Sequence, residues 1–581
     1  MTRRDFLRIS ALTMGTVAIS TGLQGCLSSS GSSSNDQPAA PGVAFTHGVA
    51  SGDPLQDRIL IWTRVSPEEG QQGPVEVSWE VAEDAEFTRL LHNGSTQTEA
   101  SRDYTVKVDV LNLMPGQTYH YRFSAAGTRS PAGQMKTLPA GSIGQVRFAV
   151  LSCSNYPAGY FHVYAEAARQ ADLDAVVHLG DYIYEYAAGG YASEDAVALG
   201  RTLGADNNGE LLTLADYRKR YALYRGDTDL QALHAAAPFI AVWDDHEVAN
   251  DTWTDGAENH NDGEGDFSQR KLAALTAYFE WMPIRPANSD DVETIYRSFD
   301  FGDLVSLHML DTRIIGRNEQ LSYGNYIGAA GFDTAAFTAD VTNRNRTLLG
   351  QDQLNWLEAR MASSNATWQV LGQQVLMGRM LLPAELLGGL LDPANSNLVA
   401  SFSELVNLKL RLQANDPTLT DAERARITTV VPYNLDAWDG YAYERELVLE
   451  MARSMDKNLV VLAGDTHNAW ANNLTTAAGQ SVGVEFATAS VSSPGLEEYL
   501  GVPAAQIPQI EQVLTILVDQ LDYLNAAQRG YMLVTFTPER AHAQWQFVDT
   551  IKSTSYQIDS ARSQERVCLP GAANRNLQTP S

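Results

Sequence analysis

Asp181 and Tyr184 stand three residues apart in the run DAVVHLGDYIYEY, residues 174–186. An apolar strand, Ala175-Val176-Val177, leads into Gly180 and puts the carboxylate at the carboxyl edge of a sheet, where open α/β folds bind ligands. The same design recurs along the chain. Phe148 to Leu151 ends at Cys153. Phe239 to Trp243 ends at Asp244-Asp245-His246. Leu304 to Leu310 ends at Asp311-Thr312-Arg313. Leu459 to Ala463 ends at Gly464-Asp465-Thr466-His467. Singly, each has a structural reading: a small core cysteine, a capped turn, an ion pair. Together they predict convergence on one sheet edge, and convergent carboxylates repel unless a cation sits between them.

The donor types narrow that cation. Cys153, Asp181, Tyr184 and His467 form a transition-metal set, and thiolate with phenolate favours Fe³⁺. Asp181, Asp245, Asn250 and Asp465 form an oxygen set for a harder ion, with Asp181 bridging. Two metals a few ångströms apart clamp an oxyanion and generate hydroxide near neutral pH.

The elements that must position these groups follow from the pattern around them. Residues 43–138 read as β, with strands over Val43–Val49, Ile59–Val65, Val75–Val81, Tyr104–Val110, Thr118–Ala125 and Gly133–Thr137, in the style of a fibronectin-type sandwich. From Val146 apolar strands alternate with helical runs at Tyr160–Gln170, Leu214–Ala236 and Gln351–Ala362, predicting an α/β domain over 146–560 and a tail over 561–581. Ala187–Leu212 and Arg379–Arg426 read as insertions at the edge of the site.

Residues 1–34 read as an address rather than as fold. Arg3-Arg4-Asp5-Phe6-Leu7 before a short apolar stretch resembles a twin-arginine signal, and Leu23-Gln24-Gly25-Cys26 resembles a lipobox, followed by a Ser/Gly tether. The expectation is export by the twin-arginine machinery to a periplasmic or extracytoplasmic location, either with membrane attachment through a lipidated Cys26 or, since Gln24 is unusual inside a lipobox, after cleavage by an ordinary signal peptidase. A net charge of −29 over 581 residues disfavours a stable nucleic-acid complex.

The runs GDYIYEY, WDDHEVANDTW (residues 243–253), LDTR (310–313) and GDTHNAW (464–470) together resemble the PhoD-like alkaline phosphatase family, which belongs with the calcineurin-like and purple-acid-type metallophosphoesterases. HGVASGDPLQDRILIWTRV (47–65) resembles that family's N-terminal domain. The resemblance implies a fibronectin/Ig-like β-sandwich followed by a metallophosphoesterase sandwich of two β-sheets flanked by helices. It implies a phosphoric ester hydrolase with a Fe³⁺/Ca²⁺ centre and metal-activated hydroxide. Cys153, Asp181, Tyr184 and His467 would lie on iron, and Asp181, Asp245 and Asp465 on calcium. His246 and Asn250 would face the phosphate, and Arg313 would bind its oxygens. Phosphomonoesters and phosphodiesters both remain open as substrates, including a phospholipase-D-like activity. The contrasting reading is a lipid-anchored binding protein that has lost catalysis.

Overall fold

The computed structural model describes residues 42–68, 73–286, 292–328, 331–390, 398–500 and 503–580. The signal and lipobox segments lie outside them. Two mixed sheets carry the centre of the protein. Among the described residues the first has nine strands, in the order Gln564–Cys568, Ala541–Phe547, Gly530–Phe536, Val146–Leu151, Ala175–His178, Phe239–Ala241, Val49–Gly52, Arg58–Arg64 and Thr105–Leu111. The second has seven, in the order Arg297–Phe301, Val305–Met309, Trp368–Gly372, Leu459–Ala463, Ser481–Ala487, Ala469–Thr475 and Leu521–Asn525. Their facing sides share one core, through pairs such as Phe148–Phe301 and Phe486–Trp545, with ring centroids 5.0 and 5.9 Å apart.

The strands that lead to the site run parallel: Val146–Leu151 beside Ala175–His178 beside Phe239–Ala241, and Val305–Met309 beside Trp368–Gly372 beside Leu459–Ala463. All side chains of Ala175–His178, Val305–Met309 and Leu459–Ala463 are buried. That burial on both faces is why they read as continuous apolar runs rather than as alternation. Helices Gln351–Ser363, Leu398–Gln413, Ala442–Ser454 and Ile507–Leu517 cover the second sheet with a separate core, through Leu357, Leu405, Leu449 and Leu514.

Three differences from the sequence reading have physical causes. The stretch Leu214–Ala236 is two helices, Leu214–Arg225 and Thr228–Ala236, because Asp227 caps the second by accepting from the amides of Asp229 and Leu230 at 2.9 and 3.3 Å. Leu90–Thr98 is an additional strand, paired with Val75–Ala82. Residues 561–580 include Gln564–Cys568, which hydrogen-bonds to Ala541–Phe547 and so belongs to the first sheet.

The N-terminal segment is sandwich-like, with one layer of its own and one layer continuous with the first large sheet. Val77, Val81, Tyr121 and Phe123 on the separate sheet pack against Val49, Ile59, Ile61 and Val106. Val49–Gly52 then joins Phe239–Ala241 in parallel, with Gly52 opposite Phe239. A Cβ on Gly52 would lie 2.2 Å from the Pro283 carbonyl oxygen, so only glycine admits this approach. Asp53 reinforces the seam by accepting two bonds from the Arg297 guanidinium. Lys107 does so by donating to the Phe279 and Ile284 carbonyls at 2.5 and 2.9 Å. Among the described residues no helix is long and apolar enough to cross a membrane.

Candidate metal centre

The five motif-bearing strand ends do meet, but on two sheets rather than on one edge. Cys153, Asp181 and the 244–246 run leave the first sheet, and Arg313, Asp465 and His467 leave the second. The turns are locked together. Cys153 N donates to Gly180 O at 3.1 Å and Ser154 N to Asp181 O at 2.8 Å. Gly180 has φ 101°, and a Cβ there would lie 2.4 Å from that of Asp244. Cys153, Asp181, Asp465 and His467 all hold left-handed backbone, at φ 62°, 53°, 61° and 65°. Non-glycine residues in that region cost on the order of 1–3 kcal/mol each and cluster at functional sites.

Three interlocked groups of side chains result. Ligand atoms of Cys153, Asp181 and His467 lie within 4.8 Å of one another, as do those of Asp181, Asp245 and His246, and those of Asp244, Asp245 and Asp465. Asp181 joins the first two groups and Asp245 the last two. Tyr184 Oη donates to Asp181 Oδ2 at 2.9 Å, lies 3.3 Å from His467 Nε2, and accepts from Ser493 Oγ at 2.6 Å.

The electrostatics of this cluster call for cations. Burial, then the neighbouring carboxylates against the pull of nearby cationic groups, pushes Asp181 and Asp244 well above the usual carboxylate range. Burial, with Asp181 close by, likewise keeps the Cys153 thiol and the Tyr184 phenol protonated. Asp181 Oδ1, Asp244 Oδ2 and Asn250 Oδ1 are buried acceptors with no hydrogen-bond donor. Such orphaned oxygens are costly in a protein interior. A thiol, a phenol, an imidazole and oxygen acceptors disposed in this way fit bound metal ions, which would ionise the first two and satisfy the last.

Arg313 departs from its expected role. Its Nε donates to Asp244 Oδ1 at 2.5 Å, Nη1 to Asp436 Oδ1 at 2.9 Å and Nη2 to Asp465 Oδ1 at 3.2 Å, and the side chain is 0% exposed. It is a counter-charge that orients carboxylates, not an open ligand for phosphate oxygens. Asn250 is buried beside the cluster, with Nδ2 donating to Glu258 Oε2 at 3.2 Å. Asp311 stays outside the metal groups and caps its own turn, accepting from the amides of Arg313 and Ile314 at 2.8 and 2.9 Å.

His246 is held by a residue the sequence reading passed over. Its Nδ1 lies 2.7 Å from Glu185 Oε2. The other Glu185 oxygen accepts from Asn250 N at 2.9 Å and from Asn259 Nδ2 at 2.7 Å. Burial opposes charge on His246, yet Asp245, Asp181 and Glu185 together push its pKa up to about 10. Glu247 was missed as well. It accepts from the amides of Asp181, Tyr182, Ile183 and Asp244, at 3.0, 2.5, 3.3 and 2.6 Å, and so braces two ligand turns at once. Both acids stood inside the quoted motifs, each four residues or fewer from a proposed ligand. Tyr191, from the 187–212 insertion, sets its hydroxyl 3.2 Å from His467 Nδ1, and nothing in its own stretch signalled that.

Residues 148–545 match the PhoD-like phosphatase family, and residues 30–139 match the N-terminal domain of PhoD-like phosphatases. The chain belongs to the PhoD-like phosphatase family. Alkaline phosphatase D of Bacillus subtilis (strain 168) is 33% identical over 544 residues, which span 91% of this chain and 82% of that protein. A solved structure described as that of PhoD aligns with a TM-score of 0.73 at 31% identity, covering 94% of each chain. The protein is thus a phosphoric ester hydrolase of the alkaline phosphatase D type, with the PhoD-like fold of β-sandwich and paired sheets.

Proposed function

We propose that this protein is an exported phosphatase and phosphodiesterase that cleaves phosphate esters at a dinuclear Fe³⁺/Ca²⁺ centre. The observation that carries the reading is the interlocking of three buried ligand groups through Asp181 and Asp245. Iron would be held by Cys153, Asp181, Tyr184 and His467, since thiolate and phenolate suit a ferric ion. Calcium would be held by Asp181, Asp245 and Asp465, with the Asn250 carbonyl oxygen beside it. Metal ions so held act as Lewis acids toward the phosphoryl oxygens and acidify water.

The chain's own residues supply orientation and a proton. Glu185 is held as a carboxylate, because His246 and the Asn250 and Asn259 donors outweigh the burial that opposes it. A carboxylate only accepts, so Nδ1 of His246 carries hydrogen toward Glu185. That leaves Nε2 of the imidazolium to serve the leaving group. Water attacks phosphorus in line with the ester oxygen, the new P–O bond forms as the old one breaks, and the departing oxygen takes the Nε2 proton. The proton lost by the water restores His246. A monoester yields an alcohol and phosphate, and a diester yields an alcohol and a monoester. Arg313 keeps Asp244, Asp465 and Asp436 in place through its three bonds.

The complete ligand set speaks against a binding protein that has lost catalysis. The resemblance of the 1–34 segment to a twin-arginine signal with a lipobox supports the export reading, with Cys26 as the residue that would be acylated in a membrane-attached form. Comparing turnover of an aryl phosphomonoester with that of the matching diester by the purified protein tests the reading. Hydrolysis of either supports it, and the ratio assigns the preference. Failure to cleave both in the presence of iron and calcium rejects it.

A further inference from the structure

The rings around His246 and Tyr184 differ in one respect. Tyr184 and His246 are each 1% exposed, whereas Tyr186 and Tyr191 are only half-buried. The Tyr186 ring lies 5.3 Å from His246, and the Tyr191 ring stacks on Tyr184 at 6.0 Å and 22°. Tyr186 and Tyr191 are themselves 5.7 Å apart at 49°. Of the residues whose rings contact His246 or Tyr184, Tyr186 and Tyr191 are not fully buried.

Both are held in place. The Tyr191 hydroxyl lies 3.2 Å from His467 Nδ1 and 3.0 Å from Tyr499 Oη, and its carbonyl accepts from Asn155 Nδ2 at 3.2 Å. The Tyr186 carbonyl accepts from Arg220 Nη1 at 3.1 Å, and the same nitrogen donates to the Tyr184 carbonyl. Tyr182, equally conspicuous in the sequence, is wholly buried and bonds His234 Nε2 at 2.8 Å. Packing explains Tyr182. It does not explain two partly exposed tyrosines in contact with each other, one beside His246 and the other beside Tyr184 and His467.

We propose that Tyr186 and Tyr191 form the leaving-group subsite, an aromatic wall that favours esters whose leaving group is planar and aromatic. The inference rests on the phosphoesterase reading above, with His246 as the acid. An ester oxygen that receives the His246 proton brings its substituent alongside Tyr186. A flat substituent there meets offset or edge-on aromatic contacts that a compact alkyl group lacks. Tyr191 would extend the wall over the iron-side ligands, which gives the 187–212 insertion a role in substrate choice.

The test uses the full-length, metal-loaded protein and two phosphomonoesters with leaving groups of similar acidity, one an aryl alcohol and one a compact fluorinated alkyl alcohol. Wild type favours the aryl ester in kcat/KM. Tyr186→Leu and Tyr191→Leu lower that preference about three- to tenfold, mainly by raising KM for the aryl ester. Tyr191→Phe keeps the ring and holds the preference within about twofold, even though it loses the hydroxyl contacts. A variant that stops turning over is read instead by its binding of phenylphosphonate against methylphosphonate, where the same loss of discrimination is expected. An unchanged preference in both leucine variants, with both esters still cleaved, overturns the subsite and leaves the phosphoesterase reading standing. A wild type that cleaves neither ester overturns both.

Discussion

Replacing Glu185 with Gln isolates the proton donor. The substitution keeps the shape of the side chain but removes the charge that faces His246 Nδ1 at 2.7 Å, and it sets an amide against donors from Asn250 and Asn259. A hydrogen bond to a charged group contributes about 1.5–3 kcal/mol. If that stabilisation is expressed in the transition state, kcat falls by about 10- to 150-fold. The loss is selective. An alkoxide leaving group needs the proton and a nitrophenolate scarcely does, so the fall should appear with an alkyl phosphate and nearly vanish with a nitrophenyl phosphate. Steady-state turnover of the two esters by wild type, Glu185→Gln and Glu185→Asp, with unfolding midpoints measured alongside, makes the comparison. Equal losses on both esters would mean that Glu185 merely supports the turn. No loss on the alkyl ester would remove His246 from the role of acid.

Two further outcomes follow from the same geometry. Tyr184 Oη sits 2.9 Å from Asp181 and receives Ser493 Oγ, an arrangement suited to a phenolate on ferric iron. Wild-type protein should therefore show a visible charge-transfer band that Tyr184→Phe abolishes, and an iron-replete but colourless wild type would remove Tyr184 from the iron. Burial also holds His47 and His178 down to a pKa of about 3 and His308 to about 4, with Arg64 and Arg225 assisting at His47. The unfolded chain takes up these protons near pH 6.5, so stability is fully present above that pH and is lost as pH falls toward 4. Each histidine contributes up to about 1.4 kcal/mol per pH unit across that window. Denaturant unfolding from pH 7 to 4.5 should steepen accordingly and flatten in His308→Asn, and an unaltered slope in that variant would contradict the assignment.

How much of this was legible beforehand depends on what kind of signal each feature leaves. A strand buried on both faces writes an apolar run that ends abruptly, so Cys153, Asp181, the Asp244-Asp245 pair, Asp465 and His467 could be picked out by position. Which sheet a strand joins leaves no such mark: backbone pairing is nearly independent of side-chain identity. Hence the strand pattern alone pointed to one edge, where the family resemblance implied two sheets, and Val49–Gly52, Arg58–Arg64 and Thr105–Leu111 were read as belonging wholly to an N-terminal sandwich. Leu90–Thr98 escaped because its side chains are mostly exposed or half-exposed and only Thr98 is buried. The break at Asp227 was present as a helix-capping aspartate before Thr228, inside a stretch read as one helical run. Arg313 was misjudged for a different reason. Its charge suited a phosphate, and only the structure brings Asp244, Asp436 and Asp465 from distant parts of the chain onto it. Tyr191 is of the same kind: it reaches His467 across 276 residues of sequence.

Metal content and turnover measured on the same samples of wild type and Asp181→Asn test the central claim most directly. Asp181 connects two of the three ligand groups, and its Oδ1 has no hydrogen-bond donor. Wild type should carry bound iron and calcium and hydrolyse phosphate esters, while Asp181→Asn should lose metal and activity together and remain folded. A metal-free wild type that works at full rate, or an Asp181→Asn variant that keeps its turnover, would contradict a hydrolase built on this cluster.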